Sequence, residues 1–116
     1  MGELSRHETV TVYGDEVTCT DFNGLGPAGE RPQRLSEECQ AALDAISEEL
    51  AKHNLTLDQT RHIAAMLREG DGFSQCQSTL GEALAAARPT LTLRIVQGFP
   101  DTNQRIALSL IASPSP

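Results

Sequence analysis

An α+β sandwich, with two helices on one face of a sheet and elements in the order ββαβαββ, is the fold class this sequence predicts. Three observations carry that reading. An alternating N-terminal stretch doubles back at a Gly-Asp pair. A long amphipathic run has clean helical spacing. Two alternating stretches, "TLTLRIV" and "QRIALSLIA", close the chain. The 116 residues suggest one domain, 1–116, with its core between residues 9 and 112 and a frayed tail at 113–116.

The first element is "ETVTVYGDEVTCTDF". Val10 and Val12 alternate with threonines, Gly14-Asp15 turns the chain, and Val17 and Cys19 resume the alternation, which is a hairpin by pattern and turn chemistry. Asn23 to Gln33 holds three of the nine glycines and two of the six prolines and reads as a loop. Leu35 to His53 is the clearest element. Leu35, Cys39, Ala42, Leu43, Ile46 and Leu50 recur at helical spacing, and the opposite face is Glu, Gln, Asp and Ser. Ser36 suits the N-cap, Glu37 and Glu38 the positive end, Lys52 and His53 the negative end, and Asn54 a left-handed stop.

"TLDQTRHIAAMLREG" is ambiguous. Its composition favours helix, yet Ile63, Ala65 and Leu67 alternate as in a strand. Asp71 can cap a second helix with Phe73, Cys76, Leu80, Ala83, Leu84 and Ala87 on one face. That helix should stop near Ala87, because Pro89 disfavours helical geometry at Arg88. The turn-rich "QGFPDTN" between the last two strands makes them neighbours in the sheet. Two helices on one face leave the other bare, and a sheet rich in leucine and alanine is expected to bury that face by self-association.

Net charge is −7, which argues against nucleic acid and against an anionic membrane surface. Only 3% of residues are aromatic, so stacking platforms for bases are scarce. Cys19, Cys39 and Cys76 are odd in number and widely spaced, which suits small hydrophobes better than a disulfide framework or a zinc site. "MGELSRHETV" lacks the apolar stretch of a signal peptide and nothing is long enough to span a bilayer, so the expected compartment is the cytoplasm. No motif calls for a cofactor or metal. "NGLGPAG" lacks the Lys-Ser/Thr of a phosphate loop, and neither GxSxG nor HExxH occurs.

Among chemically capable residues, Arg88 stands out. It follows a helix and opens a strand, and its planar fork of donors matches a carboxylate. The bland alternative is a charge complementing a helix end. His53 reads as such a charge, and His62, next to Arg61 in the ambiguous stretch, is a weaker functional candidate.

"ARPTLTLRIV", a short turn and "RIALSLIA" resemble the signature of the Rid family, the YjgF-type reactive-intermediate deaminases. The resemblance runs from Thr9 to Ala112, taking in the hairpin, the glycine- and proline-bearing loop and the first helix. It implies a fold like the small trimeric chorismate mutases, with active sites in clefts between three subunits. It also makes Thr60 to Arg68 a central strand. It implies that Arg88 binds the carboxylate of a small imine or enamine acid, whose hydrolysis gives ammonia and a 2-oxo acid.

The sequence departs from that pattern. Deaminating members carry a glutamate on the closing strand, where this chain has Ile106-Ala107-Leu108. Thr90 and Pro89 replace the usual cysteine and small residue after the arginine. Cys19-Thr20-Asp21-Phe22 replaces the usual Thr-Ser-Gly-Gln. Candidates to supply or direct a proton are therefore Asp21, His7 and Ser109, with Arg88, Thr20 and Thr90 lining the substrate site. Two functions fit: a homotrimeric enzyme acting on a small carboxylate metabolite by hydrolytic deamination or a divergent reaction, or a trimer that holds such a metabolite without turnover. Chorismatase-like hydrolysis of another carboxylate is a variant of the first. A purely structural Arg88 is the third possibility.

Overall fold

The structure is a computed structural model, and it describes residues 8–25, 30, 32–68, 73–99 and 104–114. The chain opens with a hairpin, β1 (Thr9–Tyr13) and β2 (Glu16–Phe22), paired so that Tyr13 faces Glu16 across a two-residue turn. Gly14 in that turn takes φ 60°, which a residue without Cβ adopts freely.

Helix α1 (Leu35–Ala51) follows the loop. Its cap differs from the sequence expectation: Arg34, not Ser36, is the N-cap, and the Glu37 carboxylate accepts from the Arg34 N–H at 2.9 Å. Entering two residues early buries Leu35 and places Glu37 where a capping carboxylate reaches back. The C-terminus closes as expected. Asn54 takes φ 62° and the Leu55 N–H donates to the Leu50 carbonyl at 2.9 Å. Cys39, Ala42, Leu43, Ile46 and Leu50 are fully buried against the sheet, each large aliphatic contributing about 1.5–3 kcal/mol.

Strand β3 (Thr60–Leu67), helix α2 (Phe73–Ala83), β4 (Thr90–Ile95) and β5 (Ile106–Ala112) complete the order ββαβαββ. The ambiguous stretch is thus a strand, and a central one. Ile63, Ala65 and Leu67 face the helices, while β5 and β4 satisfy its backbone on either side. Tertiary pairing overrides the helix propensity of its alanines and methionine. The expected Asp71 cap lies outside the described residues.

The sheet order is β1-β2-β5-β3-β4, which corrects one expectation: the last two strands are not neighbours. α2 carries the chain over so that β4 runs parallel to β3, and β5 then inserts antiparallel between β2 and β3. A second correction concerns the bare face. Leu91, Leu93 and Ile95 share the register of Ile63, Ala65 and Leu67, so they point to the helix side. The open face carries Thr18, Ser109, Ile111, His62, Ala64, Met66, Thr90, Thr92 and Arg94. It is less apolar than the composition implied. Ser113, expected in the free tail, donates its N–H to the Gln59 carbonyl and is hydrogen-bonded by Arg61.

Candidate functional site

After α2 the chain makes one more turn. The N–H groups of Ala87 and Arg88 both donate to the Leu84 carbonyl, at 3.1 and 3.0 Å. Arg88 itself takes φ 49°, the left-handed conformation that usually ends a helix on glycine. Pro89 follows and prevents a helical continuation. An arginine held there costs about 1–2 kcal/mol relative to an unstrained conformation. The Arg88 side chain is exposed, with no hydrogen-bond or ion-pair partner among the described residues. It stands beside a cavity of about 330 Å³ between α2 and β4, walled by Ile63, Leu80, Leu84, Pro89 and Leu91.

The other described candidates lie on the open face of the sheet but do not gather: Thr20, Asp21 and Ser109 sit on β2 and β5, and Thr90 lies beyond β3 on β4. Asp21 takes φ 58° in a bulge of β2 between Cys19 and Phe22. Its N–H donates to Ser109 Oγ at 3.1 Å, so these two proton-handling candidates do meet. Thr20 lies in the same bulge. Thr90 is in register with His62, and the neighbouring Thr92 hydroxyl is 3.3 Å from His62 Nε2. Register runs from Ser109 to Ala64 to Thr92. Two strand spacings, about 10 Å, and four residues of chain, up to about 13 Å, therefore separate Ser109 from Arg88. Within one chain Arg88 and the Asp21–Ser109 pair are therefore well separated. His7 lies outside the described residues.

Ala107 is in register with Met66 on the open face and is only 1% exposed.

Sequence reasoning missed one polar anchor. Glu38, expected only to complement the positive end of the helix, is fully buried. Its Oε1 accepts from Arg105 Nε at 2.7 Å and its Oε2 from the Arg105 backbone N–H at 2.8 Å, while the Arg105 guanidinium also donates to the Pro32 carbonyl. This pair joins α1, the preceding loop and the entry to β5, so the Arg105 guanidinium is engaged within the fold. The signal was present: Glu38 is three residues from Leu35 and four from Ala42, on the apolar stripe. Gly24 packs against the same turn, and a Cβ there would overlap the Glu38 carbonyl oxygen.

The three thiols are buried structural groups. Burial, with a smaller contribution from Glu49, pushes Cys19 up to about 12. A hydrogen bond with Cys76, then burial, holds the Cys39 thiol well above the ordinary range. Among the described residues, no three His, Cys, Asp or Glu side chains cluster to hold a metal ion, and no helix is long and apolar enough to cross a membrane.

No protein-family model matches the sequence, and no curated protein resembles it in sequence. Solved structures do match in fold. A Mycobacterium tuberculosis member of the YjgF/YER057c/UK114 family superposes with a TM-score of 0.80 at 14% identity, over 90% of this chain and 83% of that one. The chain has the YjgF/YER057c/UK114 fold. Escherichia coli TdcF, solved with bound serine, matches with a TM-score of 0.83 at 15% identity, over 98% of this chain and 92% of that one. Yeast Mmf1 matches with a TM-score of 0.85 at 17% identity, over 97% and 90%. Arg88 stands at the corner where α2 hands the chain to the outer parallel strand.

Proposed function

We propose that this chain is a Rid-type protein that grips a small imine or enamine carboxylate with Arg88 and promotes its hydrolysis. One observation carries the reading: an arginine with no side-chain partner among the described residues is held in a strained backbone conformation beside an apolar cavity. A guanidinium so placed suits bidentate binding of a carboxylate. The serine bound by Escherichia coli TdcF is itself a small amino carboxylate, which supports the same ligand class here.

In the reaction, water adds to the imine carbon, the carbinolamine collapses, ammonia leaves and a 2-oxo acid remains. Arg88 fixes the carboxylate and Thr20 and Thr90 border the bound acid, while Asp21, with Ser109 or His7, directs the water or a proton. Because Arg88 and Ser109 lie on opposite sides of one sheet, the working site combines Arg88 of one subunit with the Asp21 region of another, in a homotrimer. Positioning of a reactive imine supplies much of the acceleration without the closing-strand glutamate.

A second reading is favoured by Ala107: with no carboxylate on the closing strand, the trimer binds its acid without turnover. The test is ammonia release from enzymatically generated 2-aminoacrylate. Acceleration by the wild type, reduced about ten- to a hundredfold in kcat/KM by Arg88→Ala, is expected for the enzyme. Binding of a carboxylate with no acceleration establishes the second reading. Indifference of both rate and binding to Arg88→Ala leaves the arginine a structural role alone.

A further inference from the structure

We propose that the cavity beside Arg88 seats an aliphatic tail, so that the acid this protein binds carries a hydrocarbon chain rather than a three-carbon skeleton alone. The inference rests on Arg88 as carboxylate clamp and adds what the carboxylate is attached to.

Three observations meet here. The cavity holds about 330 Å³, and at about 30 Å³ for each water-sized group that is room for about ten heavy atoms. A three-carbon acid would leave most of it filled with water against leucine and isoleucine. The walls offer no competitor for the guanidinium: apart from Arg88 the lining is apolar or uncharged, with Gln77 as its polar member. Finally, Gly81 lies inside α2 on the cavity wall, where a Cβ would meet nothing within 4 Å. A glycine inside a helix costs about 1 kcal/mol relative to alanine, and no close packing at this position requires one. Its effect is to keep the cavity wide beside the clamp. The fit is that of an amphiphile, with the charge at Arg88 and the chain running between α2 and β4.

The test is calorimetric titration of the full chain with propionate, hexanoate and octanoate, using wild type, Gly81→Leu and Arg88→Ala. Gly81→Leu is expected to melt at or above wild type, so loss of folding does not confuse the result. In the wild type, Kd should fall two- to fourfold per added methylene until the cavity is full. Gly81→Leu should flatten that series and weaken octanoate at least tenfold. Arg88→Ala should weaken every acid. A flat wild-type series, with propionate still sensitive to Arg88→Ala, overturns the tail site and leaves the clamp standing. A chain-length series that survives Gly81→Leu also overturns it, because the chain then binds elsewhere. A change of oligomeric state in Gly81→Leu, seen by sedimentation, assigns the groove to a subunit contact instead. Absent or Arg88-independent binding of all three acids removes the clamp reading itself.

Discussion

The backbone N–H of Asp21 donates to the hydroxyl oxygen of Ser109, 88 positions away, at 3.1 Å. The bond closes a bulge in which Asp21 has left the extended conformation, so its N–H no longer points at a strand carbonyl. Ser109 therefore completes the sheet before it does any chemistry. Ser109→Ala should lower unfolding free energy by about 1–2 kcal/mol, measured by urea denaturation, because a half-buried donor loses its partner. Asp21→Asn keeps that N–H and should change stability little. If Asp21 handles the water, ammonia release falls in Asp21→Asn while the melting temperature holds.

Arg88 invites the opposite experiment. Glycine at φ 49° is relaxed where arginine is strained. Arg88→Gly should raise stability by about 1 kcal/mol, a few degrees in melting temperature, while removing carboxylate binding. A stability gain paired with a functional loss is the signature of strain kept for a ligand. Equal stability or a net loss would mean that the side chain contributes contacts which offset the strain.

Two glycines should respond with opposite signs. Gly24 lies where a Cβ would overlap the Glu38 carbonyl oxygen, on backbone that the buried Glu38–Arg105 pair holds in place. Gly24→Ala should cost about 3 kcal/mol or more, since neither segment can move freely. Gly81→Ala should gain up to about 1 kcal/mol, since that helical position opens onto space. Thermal melts of the two variants make the comparison.

The thiols predict an alkaline limit. Burial pushes Cys19 from an ordinary value of 9.0 up to about 12 in the folded chain. Above pH 9 the unfolded chain loses a proton that the native chain retains. This thiol's contribution is therefore full below about pH 9 and falls as pH rises towards 12, by no more than about 1.4 kcal/mol per pH unit. Urea midpoints between pH 8 and 10.5 should decline, and Cys19→Ala should flatten part of the decline. At pH 8 a thiol reagent should label none of the three cysteines until the chain unfolds.

Much of this architecture is written locally. Helix α1 was legible because six apolar residues repeat at a period that only a helix can align, and Asn54 supplied its left-handed stop. The hairpin was legible because valines alternate on either side of Gly14-Asp15. Glu38 shows where the reading was too coarse, since an acidic side chain was sorted by polarity although its spacing put it on the buried stripe.

What the sequence by itself determined was the elements on either side of the ambiguous stretch, their order and the placing of an arginine at the exit of the second helix. Those follow from periods, caps and turns, which act over a few residues. The tertiary structure decided that Thr60–Leu67 is a central strand, that β5 slips between β2 and β3, and that the β4 leucines face the helices. It also decided that Arg88 is left-handed beside a cavity while Ser109 lies across the sheet. The physical reason is range: strand pairing joins residues as distant as Val17 and Ala112, and a side chain's face is fixed only when that register is set.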